Sequence, residues 1–203
     1  MRICVWQIPA KLEDCDDSSK KVNLKMVAEM KNELILVNID NEQIGTATKD
    51  TVHKSAMLHR AFSVFIFNEN KMLLQRRNAN KYHSGGLWTN ACCSHPRNGE
   101  TLVDSVESRL LEELGITCPV QEYFSFIYYS QYGAELFEYE FDHVFIGDYH
   151  GKINFNPEEI EEIAWVEISR LKEWMQKEPG QFSTWFLIAA PQAIKIASAV
   201  SNE

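Results

Sequence analysis

Leu102, Val103, Val106, Leu110 and Leu114 recur at helical spacing, and the pattern stops at Gly115. That period commits residues 101 to 114 to an amphipathic helix, and a glycine just past the last apolar position is its natural C-terminal stop. The segments on both sides are strand-like. Leu34-Ile35-Leu36-Val37 reads as a strand, with Asn38 to Gly45 a turn into the next one. Ala61 to Asn68 and Lys71 to Arg77 are apolar runs joined by Asn68-Glu69-Asn70 as a hairpin. Asn78 to Asn90 is a polar loop with Gly85-Gly86. After the helix come strand-like aromatic segments at 122–130 and 136–147, a strand within Glu159 to Val166, and helices at 168–177 and 183–199. Strands, then a helix, then strands, then helices predict an α+β chain with α/β/α layers and a mixed sheet between helices.

The chain has 203 residues, enough for one domain with a full core. Residues 1–30 are expected to be an N-terminal extension and 31–203 the domain, because 12–21 is polar and aperiodic. The formal net charge is −9, which argues against broad binding to nucleic acid or to an anionic membrane. No apolar run approaches the ~20 residues of a membrane span. Cys4, Cys15, Cys92, Cys93 and Cys118 make an odd count without disulfide-framework spacing, which fits a reducing compartment, and a cytoplasmic protein is expected.

The chemistry-bearing residues fall in separate segments. Glu112 and Glu113 occupy the last turn of the predicted helix, where carboxylates oppose the macrodipole unless a cation is near. A hard divalent ion such as Mg²⁺, shared with phosphate, would meet that need; a solvated glutamate pair is the plain alternative. Glu138 and Glu140 alternate around Tyr139, so on a strand they share a face. With His53, His59 and His95 they would suit Zn²⁺, Mn²⁺ or Fe²⁺, although each histidine taken singly is more often a satisfied ring. His83, His143 and His150 have no such context. Cys93 precedes His95 by two and near cations could be a thiolate base or nucleophile; a buried inert thiol is the alternative. On a strand only one of Cys92 and Cys93 can face such a site. Arg77 and Lys81, with Lys49 and Arg109 elsewhere, could clamp a diphosphate or be ordinary surface charge.

Six motifs occur in one order: Leu58-His59-Arg60-Ala61-Phe62-Ser63-Val64-Phe65, Trp88-Thr89-Asn90, Cys93-Ser94-His95-Pro96, Glu112-Glu113-Leu114-Gly115-Ile116, Glu138-Tyr139-Glu140 and Ser183-Thr184-Trp185-Phe186. Over residues 33 to 190 the chain resembles the type I isopentenyl diphosphate isomerases of the Nudix superfamily. The resemblance implies a Nudix-like sheet and reversible 1,3-allylic isomerisation of isopentenyl diphosphate to dimethylallyl diphosphate through a tertiary carbocation. It implies that Cys93 and Glu140 are catalytic, assisted by Tyr128, with Trp185 facing the hydrocarbon. It further implies that His53, His59, His95, Glu138 and Glu140 hold Zn²⁺ or Mn²⁺. Glu113, with the Cys93 carbonyl, would hold Mg²⁺ on the substrate diphosphate, and Lys49, Arg77, Lys81 and Arg109 would bind that diphosphate. A small-molecule diphosphate is the expected partner and a monomer the expected state.

Two departures stand out. A general Nudix box has an Arg-Glu pair where this chain has Ser108-Arg109, which removes carboxylate ligands and favours isomerase over hydrolase. Where the isomerases usually have aromatic-Pro-Gly, this chain has His83-Ser84-Gly85-Gly86, which implies a looser loop. The competing readings are a Nudix diphosphohydrolase acting on a nucleotide or prenyl diphosphate, and a non-catalytic metal-bound domain.

Overall fold

The computed structural model describes residues 33–81 and 83–200. The expected extension, residues 1–30, lies outside the described residues. The elements in chain order are β1 (Leu34–Val37), β2 (Gln43–Ala47), α1 (Lys49–Lys54), β3 (His59–Asn68), β4 (Lys71–Arg77), β5 (Trp88–Thr89), β6 (Cys92–Ser94), α2 (Leu102–Leu114), β7 (Val120–Tyr132), β8 (Leu136–Asp148), β9 (Ile160–Glu167), α3 (Ile168–Lys177) and α4 (Thr184–Val200), with a short 3₁₀ turn at Pro179–Gln181.

The sheet is mixed, as expected, and β3 is its axis. β3 leaves the hairpin with β4 after two residue pairs. It then pairs antiparallel with β6 on one side and parallel with β8, His59 opposite Glu140 through Phe67 opposite Asp148, on the other. β4 goes its own way, paired with β9 along its whole length. The long β7–β8 hairpin extends the sheet beyond β8.

Alternation along β3 divides the core. Phe62, Val64 and Ile66 point to one face, where they meet Val106, Leu110 and Leu114 of α2. Phe65 and Phe67 point to the other, where they meet Trp185, Phe186, Ala189 and Ala193 of α4. Both faces of β3 are therefore covered, which explains a nearly continuous apolar run instead of an alternating one. The α/β/α layering expected from the order of elements is present.

α2 starts at the Thr101 cap, whose side-chain oxygen accepts from the Asp104 amide, and ends at Gly115 in the left-handed region (φ 64°). Its buried stripe is Val106–Leu110–Leu114, continued by half-buried Leu102; each fully buried member contributes about 1.5–3 kcal/mol. Val103, counted in the apolar pattern, is 55% exposed because the i, i+4 row that meets the sheet passes to one side of it.

Candidate active site

Register of the sheet builds the site, with α2 contributing Arg109 and Glu113 and α4 contributing Trp185. Glu140 on β8 faces His59 on parallel β3 and Tyr128 on antiparallel β7. Cys93 on β6 faces Ser63, also on β3. Neighbouring positions in register share a face, so residues from distant segments converge without any loop having to place them. The one-turn spacing between Lys49 and His53 on α1 adds two more groups beside β8. At the far edge, α4 is fastened to the 89–90 turn by Thr89 Oγ1 to Ser183 Oγ at 2.8 Å and by Trp185 Nε1 donating to Asn90 Oδ1 at 3.0 Å.

A cavity of about 110 Å³ opens here. Its walls include Lys49, Arg77, Lys81, Cys93, His95, Arg109, Glu113, Tyr128, Glu140 and Trp185, together with His83 and Glu159. The remaining residues singled out in the sequence, His53, His59 and Glu138, sit against this wall in a buried cluster with His95 and Glu140. All thirteen candidates therefore belong to one region.

Within that cluster the five ligating atoms all lie within 4.8 Å of one another. Nδ1 of His53 is 2.6 Å from the Lys49 carbonyl, and Nδ1 of His59 is 2.9 Å from the Met57 carbonyl. A carbonyl can only accept, so both rings carry hydrogen on Nδ1, and in the neutral ring Nε2 turns a lone pair inward. Inward are carboxylates. His53 Nε2 is 3.0 Å from Glu138 Oε1, His95 Nε2 is 2.7 Å from Glu140 Oε1, and His59 Nε2 is 3.6 Å from the same oxygen. Lone pairs facing carboxylate oxygens in a buried space repel unless a cation or proton lies between them. Buried His59 Nε2 and both carboxylate oxygens of Glu138 have no hydrogen-bond partner. This donor set, three imidazoles and two carboxylates with carbonyl-oriented rings, fits a divalent transition metal of the zinc or manganese type.

The titration behaviour reports the same crowding of charge. Burial and the neighbouring Glu140 charge push Glu138 up to about 8. Burial opposes ionisation of Glu140, but the close approach of Glu138 and His59 and the hydrogen bond with His95 outweigh it and hold that carboxyl well below the usual range. Burial depresses His53, yet the Glu138 carboxylate 3.0 Å away outweighs it and leaves its pKa raised. Protons retained on Glu138 and His53 do what a cation would otherwise do.

Cys92 and Cys93 split as strand alternation requires. Cys92 is fully buried in the α2-side core, and Cys93 is half-buried on the cavity wall. Burial pushes the Cys93 thiol up to about 12 despite the Arg77 guanidinium, whose Nη1 is 3.6 Å from Sγ. The thiolate considered from sequence is therefore not the resting form; one nearby cation does not offset desolvation. Tyr128 donates its hydroxyl to Glu140 Oε2 at 2.7 Å. The guanidinium carbon of Arg77 lies 5.2 Å from the centroid of the Trp185 ring, so that ring already faces a positive charge.

Glu112 and Glu113 also separate. Glu113 is buried and reaches the cavity, accepting from Arg109 Nη2 at 2.5 Å and Gln75 Nε2 at 3.2 Å. Glu112 is exposed and takes the other Arg109 nitrogen at 2.7 Å. The cation that the helix end demands is thus supplied by Arg109, one turn earlier on α2 itself, and no metal ion is needed for that purpose. Lys81 pairs with Glu159, and Arg109 lies 3.5 Å from the same carboxylate.

The loop that carries His83-Ser84-Gly85-Gly86 is hydrogen-bonded at its base. Arg77 and Leu87 bond across its base, Gly86 N donates to the Arg77 carbonyl at 2.9 Å, and Asn78 Nδ2 donates to the Pro157 carbonyl at 2.9 Å. A Cβ on Gly85 would collide with the Ala79 carbonyl, so glycine permits the close approach that folds the loop down. His83, set aside at the sequence level, therefore comes inward: its Nε2 is 2.6 Å from Glu138 Oε1. Burial and the Arg77 charge lower its pKa to about 3. Glu159 was read only as the start of a strand, and its role as the partner of two cavity cations had no local signal. His143 is a satisfied structural ring, held between Glu122 and Asn41.

The Nudix domain model matches residues 57–186. The fold agrees: a Deinococcus radiodurans protein solved by crystallography superposes with a TM-score of 0.59 at 20% identity, over 71% of this chain and 89% of its own. The MutT protein of Methanosarcina mazei does so with 0.53 at 17% identity, over 72% and 96%. Sequence relatives are nearer. An isopentenyl-diphosphate Delta-isomerase 2 of Aromatoleum aromaticum is 41% identical over 83% of this chain and 90% of its own length. The isopentenyl-diphosphate Delta-isomerase of Serratia proteamaculans is 44% identical over 76% and 87%, and a Photorhabdus laumondii isopentenyl-diphosphate Delta-isomerase 2 is 45% identical over 75% and 87%. The chain belongs to the Nudix family and, among its members, to the isopentenyl-diphosphate Delta-isomerases.

Proposed function

We propose that this chain interconverts isopentenyl diphosphate and dimethylallyl diphosphate by protonation at the terminal alkene carbon and deprotonation at C2. The observation that carries the reading is one cavity that joins a thiol, a carboxylate and an indole face to four cationic side chains, in a chain 41% identical to an isomerase over most of its length.

The residues divide the work. Lys49, Arg77, Lys81 and Arg109 bind the diphosphate, and Glu113 with the Cys93 carbonyl would hold an accompanying Mg²⁺, which would neutralise diphosphate charge. Anchoring the charged end turns binding energy into orientation of the alkene. Cys93 and Glu140 flank the hydrocarbon, one giving a proton and the other taking one, with Tyr128 hydrogen-bonded to Glu140 to assist the transfer. An unactivated alkene is a poor base, so the acid must be held against it out of water; the half-buried thiol and the buried carboxylate meet that condition. Trp185 stabilises the tertiary cation through its π face, worth ~2 kcal/mol or more when desolvated. His53, His59, His95, Glu138 and Glu140 hold a Zn²⁺ or Mn²⁺ ion, which when bound fixes Glu140 and tunes its acidity. An odd count of five cysteines without disulfide-framework spacing supports a reducing, cytoplasmic setting.

The test is an assay started from each diphosphate separately. An isomerase brings both mixtures to the same ratio with no phosphate released. Release of phosphate or a monophosphate would establish hydrolysis instead.

A further inference from the structure

We infer that Glu159 is a specificity-determining residue of the anion site, which sets the cavity to accept a diphosphate carrying Mg²⁺ and to disfavour the metal-free diphosphate. This rests on the reading of Lys49, Arg77, Lys81 and Arg109 as the diphosphate-binding residues.

Glu159 lines the same cavity as those four cations. Its Oε2 accepts from Lys81 Nζ and lies 3.5 Å from Arg109 Nη2. Arg109 is engaged further, since its Nη1 donates to Glu112 and its Nη2 to Glu113. Two of the four cations therefore already face carboxylates when no ligand is bound. The backbone keeps Glu159 in that place. Its N–H donates to the Asn156 carbonyl at 3.1 Å, and its carbonyl accepts from Asn78 N at 3.0 Å, on the loop that carries Lys81. Asn156 N in turn donates to the Glu113 carbonyl at 2.8 Å, at the end of α2. An incoming anion must compete for Lys81 and Arg109 with a carboxylate that is fixed between them.

The outcome of that competition depends on what the anion carries. A free prenyl diphosphate is close to a trianion near neutral pH, and the Glu159 charge repels it while occupying its partners. Mg²⁺ cancels most of the ligand's charge. It also brings a cation toward Glu159, because Glu159 and Glu113, the carboxylate assigned to that ion, approach the same nitrogen of Arg109. The penalty that Glu159 places on the free anion is thus relieved for the complex. Discrimination of this kind comes from a repulsive element and not from an added contact.

The experiment measures binding of isopentyl diphosphate, a saturated analogue with no double bond to protonate, by isothermal titration calorimetry. Wild type and Glu159→Gln are compared with and without Mg²⁺ at constant ionic strength; glutamine keeps the shape and removes the charge. The wild type should bind the analogue more tightly with Mg²⁺. Glu159→Gln should bind the metal-free analogue about 3- to 10-fold more tightly than wild type, the worth of one or two partly exposed ion pairs. It should bind the Mg²⁺ complex no more tightly than wild type, so the preference for Mg²⁺ narrows. A damaged site does not produce such a gain. Metal-free affinity equal to or below wild type in Glu159→Gln would overturn the inference, since the carboxylate would then serve to place Lys81 and Arg109. So would an equal gain with and without Mg²⁺, which would make Glu159 a plain competitor, or a wild type indifferent to Mg²⁺. A wild type that binds the analogue under neither condition would remove the diphosphate-site reading itself.

Discussion

At the scale of single residues, adjacent cysteines provide an internal control. Cys93 faces the cavity and Cys92 the α2-side core. Cys93→Ala should lower kcat by at least ~10²–10⁴-fold, the usual worth of a general acid or base, with the thermal midpoint nearly unchanged. Cys92→Ala should do the reverse, costing roughly 1–2 kcal/mol of stability in a denaturant melt while turnover stays within a few-fold of wild type. Loss of activity in both variants with native stability would contradict this division. Trp185 offers a second case, because its indole N–H is the partner of Asn90 Oδ1 in a buried site. Trp185→Phe keeps an aromatic face but leaves that amide short of a donor. Calorimetric unfolding should show a loss of about 1–3 kcal/mol alongside a lower kcat.

At the scale of elements, periodicity carried most of the fold. The spacing of Val106, Leu110 and Leu114 and the following glycine located α2 to within a residue, because a helix that packs on a sheet must present one stripe and must stop. β4 and the two long aromatic strands were equally plain. What was not legible has a common cause. α1, β5 and β6 are six, two and three residues long, too short to display a period, and they exist through tertiary pairing. The parallel registry of β3 with β8 joins segments some eighty residues apart, and no spacing rule connects them. That registry is what sets His59 opposite Glu140, so the convergence of the histidines was out of reach of the sequence pattern even though each ligand was recognisable. His83 was missed for the reason Gly85 explains: contact with the Ala79 carbonyl, not a motif, turns the loop inward. Gly85→Ala should therefore lift the loop, moving Lys81 and Arg77 together. The expected outcome is a KM for the diphosphate raised several-fold with a smaller change in kcat; an unchanged KM would mean that the loop does not place the anion-binding residues.

For the whole molecule, the balance of charge is divided by location. The chain is acidic overall, with a net charge of −9, yet its cavity collects Lys49, Arg77, Lys81 and Arg109. That contrast suits a small anionic ligand and not a polyanion. Beside the cations, the buried histidine and glutamate cluster stores repulsion that a bound ion would relieve, so occupancy and stability should be linked. A chelator-stripped sample is expected to melt at a lower temperature than the zinc- or manganese-loaded one, with activity and melting temperature recovering together on repletion. Identical melting curves for loaded and stripped protein would mean that the cluster is not a metal site. Among the described residues no helix is long and apolar enough to cross a membrane.

Allylic proton exchange is the central claim, and proton NMR tests it most directly. Reduced, metal-loaded protein would be incubated with isopentenyl diphosphate and Mg²⁺ in D₂O. Deuterium should enter the methyl groups of dimethylallyl diphosphate, the diphosphate should stay intact, and Cys93→Ala should abolish the exchange. Phosphate release, or an unlabelled substrate after metal repletion, would contradict it.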